Sequence, residues 1–412
     1  MKKEEKMRKL GILEKLTEEL TRSPFEAVLV FGHDNIRYMT GAVLPFLGSL
    51  SPDTAAVFWK KNEEPVVIVP SGLRDTMRAA GRIRNVQGYA PLKGSSGSGR
   101  NPLCGAHSSL EDAVKYLAEK SGLENADIGL TKRRISAGLL ARLQKRLQGC
   151  RLSSCDAWIS GLRMIKTPAE QELLAEAAKK TDHGLAGAGH HVMVYAARPE
   201  KGLSEIIRVH CVERGLDMVG YESLAVGASG EHAAIPWPEA PFFGVGKGKQ
   251  LAEGELVRME IRTSLDGYWS DAARLITMGT PTEGQLKSYD DVVAIRKKAV
   301  SILQPGLKCS EAARELLGFC RAGGIDLVEE HGLGHGIGVC PVEPPFIDPS
   351  DDTVLKEGMV LVLTPTVKGP EGELVRSYDT LIVQTDGVKL VGWYKDWNGP
   401  YKAVKSYQHG GG

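Results

Sequence analysis

The sequence predicts two domains of different class, an α/β domain over residues 1–160 and an α+β domain over residues 161–412. Three observations predict it. The chain has 412 residues, more than one ordinary hydrophobic core serves. Short apolar runs and helical periodicities alternate through the first 155 or so residues, as strands and helices do in an α/β domain. Beyond Leu162 the helical and strand-like segments come in blocks, which suggests an antiparallel sheet backed by helices.

The elements follow in order. Leu10, Leu13, Leu16 and Leu20 recur at helical spacing between charges, so residues 5–22 predict an opening amphipathic helix. Ala27–Phe31 is a buried-strand run ended by Gly32. Thr54–Trp59 and Pro65–Pro70 predict two strands joined by a polar turn. Helices are expected at about 108–121 and 136–147, with a Gly/Ser-rich loop at 93–105. That loop lacks the Gly-Lys-Ser/Thr ending of a phosphate loop. Thr167-Pro168-Ala169-Glu170 places a capping residue, a first-turn proline and an acid at a helix start. Helices are then expected at 168–195, 203–214, 285–303 and 309–322, and strands at 255–263 and 273–278 with a turn at Asp266-Gly267. Residues 358–392 read as strand-rich.

Composition narrows the function. A hydrophobic share of 42% and a charged share of 25% are those of a globular protein. A formal net charge of +1 removes the long-range attraction that a nucleic-acid or anionic-membrane binder uses. The start, Met1-Lys2-Lys3-Glu4-Glu5-Lys6, has no apolar core of a secretory leader, and no run of 18 apolar residues offers a membrane span. Seven scattered cysteines without a Cys-x-x-Cys pair argue against a disulfide framework or a zinc ribbon, so a reducing cytoplasm is expected. Cys340 reads as a small buried hydrophobe.

The segment from Glu330 to Gly338 carries the chemistry. His331 and His335 stand four residues apart among alternating glycines. Glycine admits close backbone approach, and imidazole transfers protons near neutral pH or ligates metals. The alternative is a glycine-rich turn with two structural histidines.

Several separated motifs then resemble one superfamily: creatinase, prolidase, aminopeptidase P and methionine aminopeptidase. They are Asn35-Ile36-Arg37-Tyr38-Met39-Thr40-Gly41, Arg163-x-x-Lys166-x-x-x-Glu170, Gly267-Tyr268-Trp269-Ser270-Asp271, His331–Gly338, Gly358-Met359-Val360 and Arg376-x-x-Asp379-Thr380. The resemblance implies an α/β creatinase-like N-terminal domain, an α+β pita-bread C-terminal domain and a homodimer. It also implies two divalent metals on Asp, Asp, His, Glu and Glu, with carboxylates bridging the mutually repelling cations. Carried over, those positions are Glu260, Asp271, His335, Thr364 and Tyr378. Two further histidine positions hold Trp237 and Val342, while His331 and Arg376 are kept.

With both glutamates replaced, no metal is favoured. The alternative is one manganese, zinc or iron on Glu260, Asp271 and His335, with Tyr378 as a fourth ligand. The superfamily also contains metal-free members, creatinase and ectoine hydrolase, which cut a C–N bond in a small polar molecule. By that resemblance the chain is expected to be a creatinase-like hydrolase or lyase acting on a small polar nitrogen compound. Its catalytic set is His331, His335, Glu260 and Asp271, with the carboxylates orienting an imidazole and raising its pKa. Trp237, His232, Glu343, Thr364, Arg376 and Tyr378 are expected to bind substrate, the aromatic groups suiting a cation or planar ring. Creatine is not favoured, because Trp237 stands at creatinase's histidine position and Val43–Ser49 offers no carboxylate-binding arginine. Two alternatives remain, a single-metal Xaa-Pro peptidase-like enzyme and a non-catalytic binding protein. The aromatic tail from Trp393 is read as a lid, a dimer contact or surface packing.

Overall fold

The computed structural model describes residues 10–44, 51–90, 107–194, 199–218, 223–235, 249–392 and 401–403. The chain divides into two compact units, Met1–Arg163 and Met164–Gly412.

The first unit runs α1 (Ile12–Arg22), β1 (Ala27–Val30), α2 (His33–Thr40), β2 (Ala56–Lys60), β3 (Val66–Pro70), α3 (Arg74–Ala80), β4 (Val86–Tyr89), α4 (Leu110–Lys120), β5 (Asp127–Leu130), α5 (Ala137–Arg146), β6 (Arg151–Ser154) and α6 (Asp156–Met164). Among the described residues its strands form one sheet in the order β4-β3-β2-β1-β5-β6. Pairings β1–β2 and β2–β3 are antiparallel, and the rest are parallel. Leu29, Phe31, Phe58, Ile68, Val114 and Leu143 build its core. The first helix buries Ile12, Leu16 and Leu20, spaced four apart, whereas Leu13 is only half-buried. The expected loop at 93–105 lies outside the described residues.

Two of the motifs meet inside this unit. Helix α2 carries Asn35–Thr40, and Gly41 ends it with φ 68°. Arg163 donates from Nη1 to Asp34 Oδ2 at 2.6 Å and to Asn35 Oδ1 at 2.7 Å. Burial alone would raise the Asp34 carboxyl, but Arg163 and Arg134 hold it down at about 2.

The second unit opens with α7 (Pro168–Val194) and α8 (Glu200–Val212). The expected cap is present: Glu170 N donates to Thr167 Oγ1, and Thr167 N donates to Glu170 Oε2. The Tyr268 hydroxyl donates to the other Glu170 oxygen at 2.9 Å. Next come β7 (Leu224–Ser229), β8 (Leu256–Leu265) and β9 (Tyr268–Met278), paired antiparallel. The turn between β8 and β9 has positive φ at both Asp266 (49°) and Gly267 (83°), as a two-residue hairpin of the right twist requires.

Helices α9 (Glu283–Ile302) and α10 (Cys309–Gly323) follow. Then come β10 (Gly334–Gly336), β11 (Glu343–Phe346), β12 (Val360–Leu363), β13 (Thr366–Lys368), β14 (Leu374–Arg376), β15 (Asp379–Gln384), β16 (Gly387–Val391) and β17 (Tyr401–Ala403). Among the described residues the sheets are β17-β9-β8-β7, β11-β10-β12-β15-β16 and the ribbon β13-β14. Strand β17 joins β9 in parallel, and the preceding aromatic residues 393–400 lie outside the described residues. Leu256, Leu275, Tyr289, Val292, Leu316 and Leu361 are among the core residues that unite helices and sheets.

Candidate functional site

Strand β8 sets the site. Side chains alternate along a strand, so Arg258, Glu260 and Arg262 share one face. Arg262 stands opposite Asp271 on β9, which brings Asp271 to the same face. Arg262 donates to Asp271 Oδ2 from Nε at 3.0 Å and from Nη2 at 2.7 Å. Arg258 Nε lies 2.8 Å from Glu260 Oε1. Arg376, from the end of β14, donates to the same oxygen at 3.0 Å. Glu260, Arg258 and Arg376 are fully buried. Glu260 Oε2 has no hydrogen-bond partner among the described residues.

The His/Gly run supplies the other side. Strand β10 is squeezed between β11 and β12. A Cβ on Gly334 would lie 2.6 Å from the Val362 carbonyl oxygen, and one on Gly336 would overlap the Pro344 carbonyl. These positions need glycine for close backbone approach. Trp269 ties β9 to the segment after β10, donating from its backbone to Gly338 O (2.8 Å) and from its ring to Val339 O (3.1 Å).

His335 Nδ1 lies 2.9 Å from Gly336 O. A carbonyl only accepts, so Nδ1 carries the proton and the neutral ring keeps its lone pair on Nε2. His331 is the reverse. Its Nδ1 lies 2.6 Å from Arg376 Nη2, and guanidinium only donates, so the proton sits on Nε2. Among the described residues, neither Nε2 has a hydrogen-bond partner.

Several expectations are corrected here. Carboxylates do not orient the imidazoles: a carbonyl holds His335, Arg376 holds His331, and Glu260 and Asp271 are taken by arginines. The pKa of His335 is lowered rather than raised, because burial outweighs Asp271. That of His331 is lowered by burial and then by Arg376. His331 is therefore a hydrogen-bond donor in this arrangement and not a base. Glu343, expected at the substrate, is buried and accepts from Lys166 Nζ at 3.0 Å.

His232 is also drawn elsewhere. Its Nδ1 bonds Glu200 Oε2 at 2.6 Å. Glu200 begins α8, whose Leu203 packs on Gly227. Gly227 adjoins Val226, the partner of Glu260, so α8 covers the face away from Glu260. Among the described residues the His232 turn meets the site through its backbone, where Ala233 O and Ile235 O accept from Arg258 at 2.6 and 2.7 Å. Trp237 lies outside the described residues.

Thr364 is buried, and the Arg376 guanidinium lies 6.0 Å from the Tyr378 ring centroid. Burial, with Glu260 adding, raises the Tyr378 phenol pKa well above its ordinary value, so the ring stays neutral. Arg258 and Arg262 were missed by sequence reasoning. The signal was present in Arg258-Met259-Glu260-Ile261-Arg262, where two cations flank an acid at same-face spacing.

The donor set fits neither the two metals that the resemblance implies nor the alternative of a single metal. Among the described residues, no three or more His, Cys, Asp or Glu groups are gathered to hold one. Both carboxylates of the single-metal set are engaged by guanidinium groups, and the bridging positions hold neutral Thr364 and Tyr378.

Residues 172–385 match the model of metallopeptidase family M24, and residues 12–165 match the creatinase/prolidase N-terminal domain. The chain belongs to metallopeptidase family M24, within the creatinase, prolidase and aminopeptidase P superfamily. It is 26% identical over 388 residues to the putative dipeptidase YkvY of Bacillus subtilis, covering 93% of this chain and 98% of that one. It is 30% identical over 237 residues to an Xaa-Pro dipeptidase of Pyrococcus furiosus, covering 57% and 64%. The fold is that of the X-Pro aminopeptidase from Thermotoga maritima, with a TM-score of 0.77 and 18% identity over 94% of this chain and 99% of that one. Among the described residues no helix is long and apolar enough to cross a membrane.

Proposed function

We propose that this chain is an M24-family hydrolase that cleaves a C–N bond in a small polar nitrogen compound without a dinuclear metal centre. The observation that carries this reading is the opposite polarity of two neutral imidazoles on one segment: His335 offers a lone pair at Nε2, and His331 offers an N–H. In the proposed reaction, His335 Nε2 takes a proton from water as the water oxygen bonds the substrate carbon. The C–N bond breaks, and the proton passes from His335 to the leaving nitrogen. His331 Nε2–H and the Arg376 guanidinium donate to the oxygen or nitrogen on which negative charge develops. Glu260 Oε2 is an acceptor suited to a substrate N–H.

The test is amine release by chelator-treated protein from N-carbamoyl, N-acyl and guanidino compounds. Turnover that persists without metal and is lost in His335→Ala is expected. Hydrolysis of Xaa-Pro dipeptides alone, and only after manganese, zinc or iron is restored, would overturn it. That outcome belongs to the second reading, a peptidase-like metallohydrolase, which the end-to-end match to a putative dipeptidase favours.

A further inference from the structure

We infer that Arg258 and Arg262 are built-in cations that take over the charge balance of the family's two metal ions, and that Arg262 is what bars a divalent cation from Asp271. The inference deepens the metal-independent reading above and rests on it. Its first support is placement. Both arginines lie on β8, two residues to either side of Glu260, on the sheet face that also carries Asp271 of β9. The second is fixation. Arg262 grips Asp271 Oδ2 through two nitrogens, and Arg258 is anchored by Ala233 O and Ile235 O while facing Glu260 Oε1.

The third support is charge. The ligand set implied by the resemblance places four carboxylates around two divalent ions. Here the two neutral replacements, Thr364 and Tyr378, leave two carboxylates, and two guanidinium groups match them. Arg376 is additional in both arrangements. A divalent ion entering this face would meet three guanidinium groups and only two carboxylates, both already paired. Like charges a few ångströms apart in a buried site repel strongly. Removing Arg262 reverses the situation: Asp271 is left buried without its guanidinium partner, on the face it shares with Glu260, and an uncompensated buried carboxylate draws a cation.

The test is calorimetric titration of the full-length, chelator-stripped protein with manganese chloride. Wild type and Arg262→Lys, which keeps a cation, are expected to take up no manganese. Arg262→Met is expected to gain about one site that wild type lacks, and to lose it again when Asp271→Asn is added. Wild-type uptake overturns both this inference and the metal-independent reading. A folded Arg262→Met protein that takes up nothing overturns this inference alone. Thr364→Glu, with every arginine in place, gives an independent reading should Arg262→Met fail to fold. It is expected to take up no manganese, and uptake overturns the inference.

Discussion

At His335 the chemistry turns on one hydrogen bond. The bond from Nδ1 to Gly336 O leaves Nε2 as the acceptor, and burial lowers the pKa below its ordinary value near 6.5. The ring is therefore neutral at pH 7, and a base must be neutral to act. Activity is expected to hold above pH 6.5 and to fall as pH drops through the lowered pKa, measured as kcat/KM against pH. The His335→Ala variant is expected to lose about 10²–10⁴ in rate. The same sign governs stability: the unfolded chain binds the proton more readily, so the contribution of this group is present above pH 6.5 and is lost on acidification. The histidines were legible from the glycines around them. The arginines were passed over although their spacing around Glu260 was legible, because an arginine at alternate strand positions ordinarily faces solvent. Arg262 gains its acid from the β8–β9 register, which sets it opposite Asp271, and Arg258 is held by Glu260 and by the carbonyls of Ala233 and Ile235.

At the scale of elements, buried ion pairs bind sheet to helix. Arg274 on β9 donates to Asp182 on α7 at 2.6 Å and to Asp379 on β15 at 3.1 Å, and Arg296 on α9 reaches Asp379 at 3.3 Å. Arg274→Met leaves both carboxylates short of a partner and is expected to cost about 3–5 kcal/mol, read from the denaturation midpoint. Gly336→Ala forces a methyl onto the Pro344 carbonyl and is expected to cost about 1–3 kcal/mol by the same measurement. In the first unit, Asp34 titrates at about 2 in the folded state. Its stabilisation is thus present above about pH 4 and lost as pH falls toward 2, as acid unfolding of Arg163→Met against wild type would read. The long helices were readable because periodicity accumulates over many residues. Strands β4, β5 and β6 escaped because four residues such as Val-Gln-Gly-Tyr or Arg-Leu-Ser-Ser carry no period of their own, and only their neighbours in the sheet define them.

The whole molecule carries a creatinase-like N-terminal domain and an M24 domain, and the second of these holds a charge arrangement made from its own side chains. We propose that it works as a homodimer, and light scattering is expected to give twice the chain mass of 44.5 kDa. Family membership was legible because its motifs are local strings in a fixed order. The remodelled site was legible only as missing ligands, since what replaced them depends on contacts across strands. The measurement that tests the account most directly is elemental analysis of the protein purified without added metal or chelator, repeated after dialysis against manganese, zinc and iron. The account predicts no stoichiometric metal under any of these conditions. About one or two tightly held ions per chain, lost in Asp271→Ala, would contradict it.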